Sequence, residues 1–358
     1  MAGDHARPAV RGHPGALRRR VRPGVRADRR DLRRAGPGAR LSAPADTEAS
    51  AEHRCSAARR VLVIGIGGGG DVAGALAAAE AIRALGTEAV VGGITWERRP
   101  VDPLPGPRRL DEIIGAEVLH EAVALAAPAT TGPGGFRFCE ADMAAFLGEP
   151  TVLVDPNPGP AAIAAGLDVA ARHLGCDLVV LLDVGGDVLA HGHEPGLASP
   201  LADATMLAAA PRMATPVLGV VFGAGCDGEL TPAEVRERLA EVAAAGGDLG
   251  ELALPGAALD RVEAALAVVT TEASAMAMRC ARGETGVVPI RGGRRSVPLT
   301  ADGGRLSCFD PVVAMGSAAR LAAAVAQACS LQDAQAILAA RGVRTELDYE
   351  RDAAAATG

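Results

Sequence analysis

Three stretches set glycine beside acid at the end of an apolar run: GGGGD (67–71), DVGGD (183–187) and GAGCDGE (223–229). Glycine lets backbone come close to a ligand, and a carboxylate beside it can grip a cation, a ribose hydroxyl or an amine. Gly65, Gly67 and Gly70 also satisfy the G-x-G-x-x-G spacing between a strand and a helix, which is the setting of a dinucleotide loop. On that spacing Gly67, Gly68, Gly69 and Gly70 would cradle a phosphate at a helix N-terminus. Asp71 complicates the dinucleotide reading, because its charge would repel a pyrophosphate there. Together the three acids, Asp71, Asp187 and Asp227, would repel one another unless a divalent cation such as Mg²⁺, or a cationic substrate group, sat between them. The plain alternative is that each acid caps its own turn.

The loop AHGHEPGLASPLADA (190–204) follows the second glycine stretch and supplies Glu194, Ser199 and Asp203 as a lid over the same crevice. His191 and His193 within it have the His-x-His spacing of a metal pair, but no further histidine completes a set. In VVTTEASAMAMRCARGETG (268–286), Thr271, Glu272 and Ser274 follow an apolar run and Arg279 lies two turns on. Glu272 is a candidate general base and Arg279 a candidate carboxylate or phosphate clamp; a helix cap followed by a surface arginine is the alternative. Trp96, the only tryptophan, heads the loop TWERRP, either as a buried anchor or as a stacking surface for a ring. The residues expected to carry chemistry are Asp187, Glu272 and Asp227. Gly185, Gly186 and Gly225 join the ligand-binding set, and Asp71 and Asp187 are the metal candidates. Mg²⁺ is the cofactor this reading calls for, with NAD(P) as the alternative. No GxSxG, P-loop GK[ST] or HExxH sequence occurs.

The elements that must hold these residues alternate. VLVIGI (61–66), EAVVGGITW (88–96), TVLVD (151–155), DLVVLLDVGGD (177–187) and TPVLGVVF (215–222) are short apolar runs, as in strands buried on both faces. Helical patterns follow them: VAGALAAAEAIRAL (72–85), AAIAAGLDVAARHL (161–174) and TPAEVRERLAEVAAA (231–245). The last of these opens on Thr231, Pro232 and Glu234, the residues of a capping box. ALAVVTTEAS (265–274) is expected as another strand, GVVPIRGGRRSVPLT as an edge hairpin turning at Gly292-Gly293, and SLQDAQAILAAR as the final helix. The expected fold is α/β: a three-layer, Rossmann-like, mostly parallel sheet with a C-terminal β-hairpin edge. Ligands in such a sheet bind at the carboxyl ends of its strands.

Composition bounds the rest. The chain has 358 residues, 49% hydrophobic and only 2% aromatic, so Ala, Val, Leu and Ile must build the core. Every amine- or guanidine-bearing side chain is Arg, which reflects composition bias and not an arginine-specific activity. Residues 1–60 hold fifteen Arg and six acids against a net charge of −7 for the whole, so the body is acidic. That argues against nucleic acid as a partner. Residues 1–58 are expected to be a disordered Arg/Pro/Gly-rich extension, 59–351 a single α/β ligand-binding domain and 352–358 a disordered tail. The seven cysteines are scattered with no CxxC, and no apolar run is long enough to span a bilayer. The expected setting is cytoplasmic, with a small-molecule ligand, no membrane, and homo-oligomerisation left open.

GIGGGGDVAGAL, GGITWERRPVDPLPGPRRLDEI, LLDVGGDVL with EPGLASPLADA, GCDGEL, TTEASAM and RGVRTELDYER together resemble the DUF1152 proteins of archaea and bacteria, over residues 61–351. The resemblance implies a single α/β domain with one shared ligand site, and carries no catalytic residues with it. The residues favour an enzyme of small-molecule metabolism, transferring or hydrolysing at a phosphorylated or nucleotide-like ligand. An NAD(P)-type oxidoreductase and a non-catalytic metabolite-binding protein are the alternatives.

Overall fold

A computed structural model describes residues 50–99 and 101–356. The strands are β1 (Arg60–Gly65), β2 (Glu88–Ile94), β3 (Ile114–His120), β4 (Val123–Thr131), β5 (Thr151–Val154), β6 (Leu178–Val184), β7 (Val217–Phe222), β8 (Asp248–Leu252), β9 (Gly286–Ile290), β10 (Arg295–Leu299) and β11 (Leu306–Phe309). The helices are α1 (Ala51–Ala57), α2 (Val72–Ala84), α3 (Cys139–Leu147), α4 (Pro160–Leu174), α5 (Pro200–Leu207), α6 (Pro232–Ala244), α7 (Gly256–Leu266), α8 (Glu272–Ala281), α9 (Pro311–Met315), α10 (Arg320–Val325), α11 (Leu331–Ala339) and α12 (Glu346–Ala355).

Nine strands form one sheet in the order β3-β4-β5-β2-β1-β6-β7-β11-β8. The five central strands, β5 to β7 in that order, are parallel, and the outer strands pair antiparallel on both sides. Alternate side chains of each central strand enter opposite layers. Leu62 and Ile64 join one apolar cluster with α4, α5, α10 and α11, whereas Val61 and Val63 join another with α1, α2, α7 and α8. That two-sided burial is why β1 and β6 are unbroken apolar runs. It makes the three-layer α/β arrangement anticipated from sequence. The chain leaves β1 toward β2 and β5 on one side and returns as β6 on the other, so the strand order reverses between β1 and β6. Such a reversal opens a crevice at the carboxyl ends of the two strands.

Local signals match where the chemistry is local. The Thr231 hydroxyl accepts from Glu234 N and the Glu234 carboxylate accepts from Thr231 N, closing the capping box of α6. Asp310 caps α9 by accepting from Val312 N and Val313 N. The hairpin turns at Gly292-Gly293, at φ of 64° and 83°.

Five expectations are corrected. The β9–β10 hairpin is a separate two-stranded sheet and not an edge of the main one. Residues 265–274 are not a strand: α7 ends at Leu266, α8 starts at Glu272, and Val268 lies exposed in the turn between them. The β-branched run VVTT misled because it links two helices. Residues 51–57, expected within the disordered extension, form α1. Its Ala51 and Cys55 are buried, and the Cys55 carbonyl accepts from Thr87 Oγ1 at 2.9 Å. The rest of that extension, residues 1–49, lies outside the described residues. At the other end α11 is not the final helix, and α12 carries ordered chain through Ala355, past the expected limit at 351. Finally β3, β4, β8 and β11 were not anticipated. Among the described residues, no helix is long and apolar enough to cross a membrane.

Candidate functional site

Six carboxylates gather where the strand order reverses. Asp71 ends the glycine loop after β1. Asp183 is the penultimate residue of β6, and Asp187 opens a single turn after it. Asp203 projects from α5, and Asp227 and Glu229 follow β7. They form two groups: Asp71, Asp183 and Asp203 bring carboxylate oxygens within 4.8 Å of one another, and so do Asp187, Asp227 and Glu229. All six are buried.

The loop geometry explains the glycines of the first stretch. Gly67 N donates to Asp71 Oδ2 at 3.0 Å, and a Cβ on Gly67 would stand 2.8 Å from that oxygen and 3.0 Å from Asp203 Oδ1. A Cβ on Gly69 would collide with the Glu97 carboxylate, and one on Gly70 would lie 2.8 Å from Thr271. Gly68 alone has room: its nearest neighbour would be Arg98 Nε at 3.6 Å. Three of the four glycines are therefore required by the protein's own side chains, and only at Gly68 would a Cβ make no more than ordinary contacts. The Arg98 guanidinium donates to Gly67 O at 2.7 Å and pairs with Glu346 and Glu350 at 3.5 and 3.4 Å.

The other two stretches lock together. Gly225 N donates to Gly185 O at 2.8 Å, and a Cβ on Gly185 would meet the Asp227 carboxylate at 2.4–2.9 Å if one existed there, so glycine is needed for the two loops to touch. Gly185 and Gly186 have φ of 140° and 106°, and Gly225 has 77°, the region glycine tolerates best. Asp183 Oδ2 accepts from Gly186 N at 2.9 Å and Val188 N at 3.2 Å, which fixes its carboxylate at the strand end.

Electrostatics separates committed acids from free ones. Burial first, then Asp183, pushes the Asp71 carboxyl up to about 8. Burial also lifts Asp203 well above the ordinary carboxylate range, helped by Asp183 and Asp71. Asp187 is lifted by burial and then by Asp203 and Asp183, and Asp227 by burial and Glu229. Charged forms are disfavoured because so many carboxylates share a dry space. Glu229 is the best compensated, accepting from Ala198 N and Ser199 N at 2.7 Å each and from the Ser199 hydroxyl, with Arg291 at 3.5 Å and Arg295 at 3.9 Å.

Several anticipated residues stand elsewhere. Glu272 is exposed and accepts from Arg291 N at 2.8 and 3.0 Å, which ties α8 to the hairpin turn; it is not a base facing the crevice. Arg279 pairs with Glu284 at 2.7 Å and is not a clamp beside Glu272. Glu194 accepts from His191 N, Gly192 N and His193 N and pairs with Arg238, so its oxygens brace its own loop instead of the crevice. Trp96 is fully buried: its Nε1 donates to the Glu350 carboxylate at 3.1 and 3.2 Å, and Arg98 lies 4.5 Å from the ring centre. It is an anchor and offers no stacking face. Ser199 reaches the site through Glu229, and Thr271 and Ser274 line the glycine loop, with Ser274 Oγ 3.4 Å from Gly70 O.

Asp183, Glu229 and Arg98 were missed as site residues. Asp183 left a signal, since it is an acid inside an otherwise apolar strand. Arg98 left none, because its partners Glu346 and Glu350 lie some 250 residues away.

No curated protein and no solved structure matches the chain. A family model does, over residues 62–354, under the description "protein of unknown function (DUF1152)", and its span takes in all six carboxylates and the glycine loop: the chain belongs to the DUF1152 family.

Proposed function

We propose that this protein is an enzyme of small-molecule metabolism that acts on a phosphorylated or nucleotide-like ligand with the help of a divalent cation, by transfer or hydrolysis at the phosphate. One observation carries the reading. Asp71, Asp183 and Asp203 converge at the strand-order reversal, and the buried Oδ1 atoms of Asp183 and Asp203 have no hydrogen-bond partner. A buried carboxylate oxygen without a donor is costly unless something cationic meets it. An all-oxygen set suits Mg²⁺ or Mn²⁺ better than a softer metal. Such a cation keeps part of its shell for water and substrate phosphate. Gly68 is the loop glycine that the protein's own side chains do not require, and Arg98, Arg291 and Arg295 border the pocket with positive charge.

A dinucleotide has less support. Asp71 already takes the Gly67 N–H, and Gly69 N donates to Trp96 O at 3.0 Å, so two of the loop's donors are spent on the protein itself. A substrate ammonium or guanidinium is the second reading, favoured by the excess of carboxylates over arginines in the pocket.

The test is a melting-temperature screen with nucleotides, sugar phosphates, NAD(H) and amino acids, each with and without Mg²⁺ or Mn²⁺, followed by assay of phosphate release. Phosphorylated ligands should stabilise the protein only with the cation present. Stabilisation by an amine-bearing ligand without metal would favour the second reading, and stabilisation by NAD(H) alone would favour the dinucleotide.

A further inference from the structure

We infer that Cys226 and Cys280 are a redox site: a peroxide joins them in a disulfide that ties α8 to the loop carrying Asp227, and a dithiol reductant reopens it. The inference stands apart from the proposed function and needs neither its cation nor its substrate.

The two thiols come from segments 54 residues apart in the chain. Cys226 lies in the loop after β7, between Gly225 and Asp227, and Cys280 lies in the last turn of α8. Their Sγ atoms are 3.8 Å apart and share a hydrogen bond. A disulfide holds its sulfurs at about 2.05 Å, so closure draws two groups already in contact together by about 1.8 Å. The neighbouring backbone is shaped around the pair. A Cβ on Gly303 would stand 2.7 Å from Cys280 Sγ and 3.1 Å from Cys226 Sγ, so glycine leaves the room that both thiols occupy. Both sulfurs therefore face the same stretch of chain.

Thiols sealed in an apolar core are inert, and both residues are buried. Cys280, however, forms part of the wall of a cavity of 280 Å³ that it shares with Glu284, Thr285, Ala301 and Gly304. Glu284 and Thr285 are exposed, so the cavity opens to solvent and has room for hydrogen peroxide. The hydrogen bond from Cys226 also holds the Cys280 thiol below its ordinary range, which makes Cys280 the nucleophile. Its thiolate attacks one peroxide oxygen and the O–O bond breaks. That oxygen stays on Cys280 as a sulfenic acid; the other leaves as hydroxide and takes up the proton that the thiol has lost. The Cys226 sulfur then attacks the Cys280 sulfur, and the sulfenic oxygen departs as water with the Cys226 proton. The two thiols lose two electrons in all, and one peroxide becomes two waters. The product links α8 to a loop that is already held at Gly225, whose N–H donates to Gly185 O at 2.8 Å.

The full chain, reduced and then freed of reductant, is treated while folded with equimolar hydrogen peroxide; the remaining thiols are alkylated in denaturant and the chain is mapped by mass spectrometry. Two of the seven thiols should disappear, the intact mass should fall by that of two hydrogen atoms, and the peptides holding Cys226 and Cys280 should be found joined. Dithiothreitol should restore both thiols. Cys226→Ser and Cys280→Ser should each lose the cross-link, whereas Cys329→Ser, which removes the exposed thiol, should keep it. The wild type alone carries the main result, so a variant that fails to fold does not weaken the test. Oxidation at Cys329 with Cys226 and Cys280 both still free, or a link that forms only after the chain is denatured, would overturn the inference and leave the pair as core packing.

Discussion

The Asp71 carboxylate, at the end of the glycine loop after β1, accepts the backbone N–H of Val184, the last residue of β6, at 3.3 Å. One side chain thereby fastens together the two strands between which the sheet order reverses. Asp71 makes no side-chain cap on α2; it accepts from Gly67 N within its own loop instead.

Asp203→Asn should stabilise the protein in the absence of metal and abolish its stabilisation by Mg²⁺ or Mn²⁺. The substitution replaces a buried carboxyl whose Oδ1 no donor reaches among the described residues. The gain should come from an amide that cannot ionise and whose NH2 can donate to the neighbouring carboxylates of Asp71 and Asp183. Thermal melts with and without metal check both halves. A variant that melts lower yet still responds to metal would show Asp203 to be structural.

Gly68→Val and Gly69→Val should separate binding from packing. Gly68 has φ of 164°, which any residue adopts, and a Cβ there would make only ordinary contacts with Arg98 and the Trp96 carbonyl, so valine there should block the ligand with little change in melting temperature. At Gly69 valine would strike the Glu97 carboxylate and should cost about 1–3 kcal/mol. Ligand titration and thermal melts on both proteins decide; normal binding by the Gly68 variant would mean that the loop never touches ligand.

Glu140→Gln should stabilise the protein increasingly as pH rises. Burial, then Glu97, lifts the Glu140 carboxyl well above its usual range, and neither of its oxygens has a hydrogen-bond partner. A carboxyl raised in the folded state contributes fully below its unfolded value of about 4.3, and that contribution is lost as pH climbs toward the folded value. Glutamine stays neutral throughout. The melting-temperature gap, variant minus wild type, should therefore widen between pH 4.5 and 8; a flat gap would mean that Glu140 ionises as freely folded as unfolded.

Deleting residues 1–58 should destabilise the protein relative to deleting 1–49. The longer deletion removes buried Ala51 and Cys55 and the acceptor of the Thr87 hydroxyl, together worth roughly 2–3 kcal/mol. Denaturant unfolding of the two truncated chains measures the difference, and equal midpoints would show that α1 adds nothing.

The five central strands could be read from the sequence because burial on both faces forces an unbroken apolar run, as in VLVIG of β1 and LVVLL of β6. The cap at Thr231 and the turn at Gly292-Gly293 were equally plain, since each depends on neighbours within four residues. Strands at the margins left weaker marks. β3 is largely exposed, with Ile114 and Val118 facing solvent, and β8 reads DLGEL, because an outer antiparallel strand needs little apolar character of its own. The site divided in the same way. Asp71, Asp187, Asp203 and Asp227 drew notice as acids at or just beyond glycine-rich strand ends, a local pattern. Their sorting into two groups, the place of Asp183 beside Asp71 and Asp203, and the removal of Glu272 and Arg279 to the surface followed from which strand lies beside which and where α8 turns. The reversal that gathers the site depends on β1 pairing with β6, segments more than a hundred residues apart, and no local spacing encodes that contact.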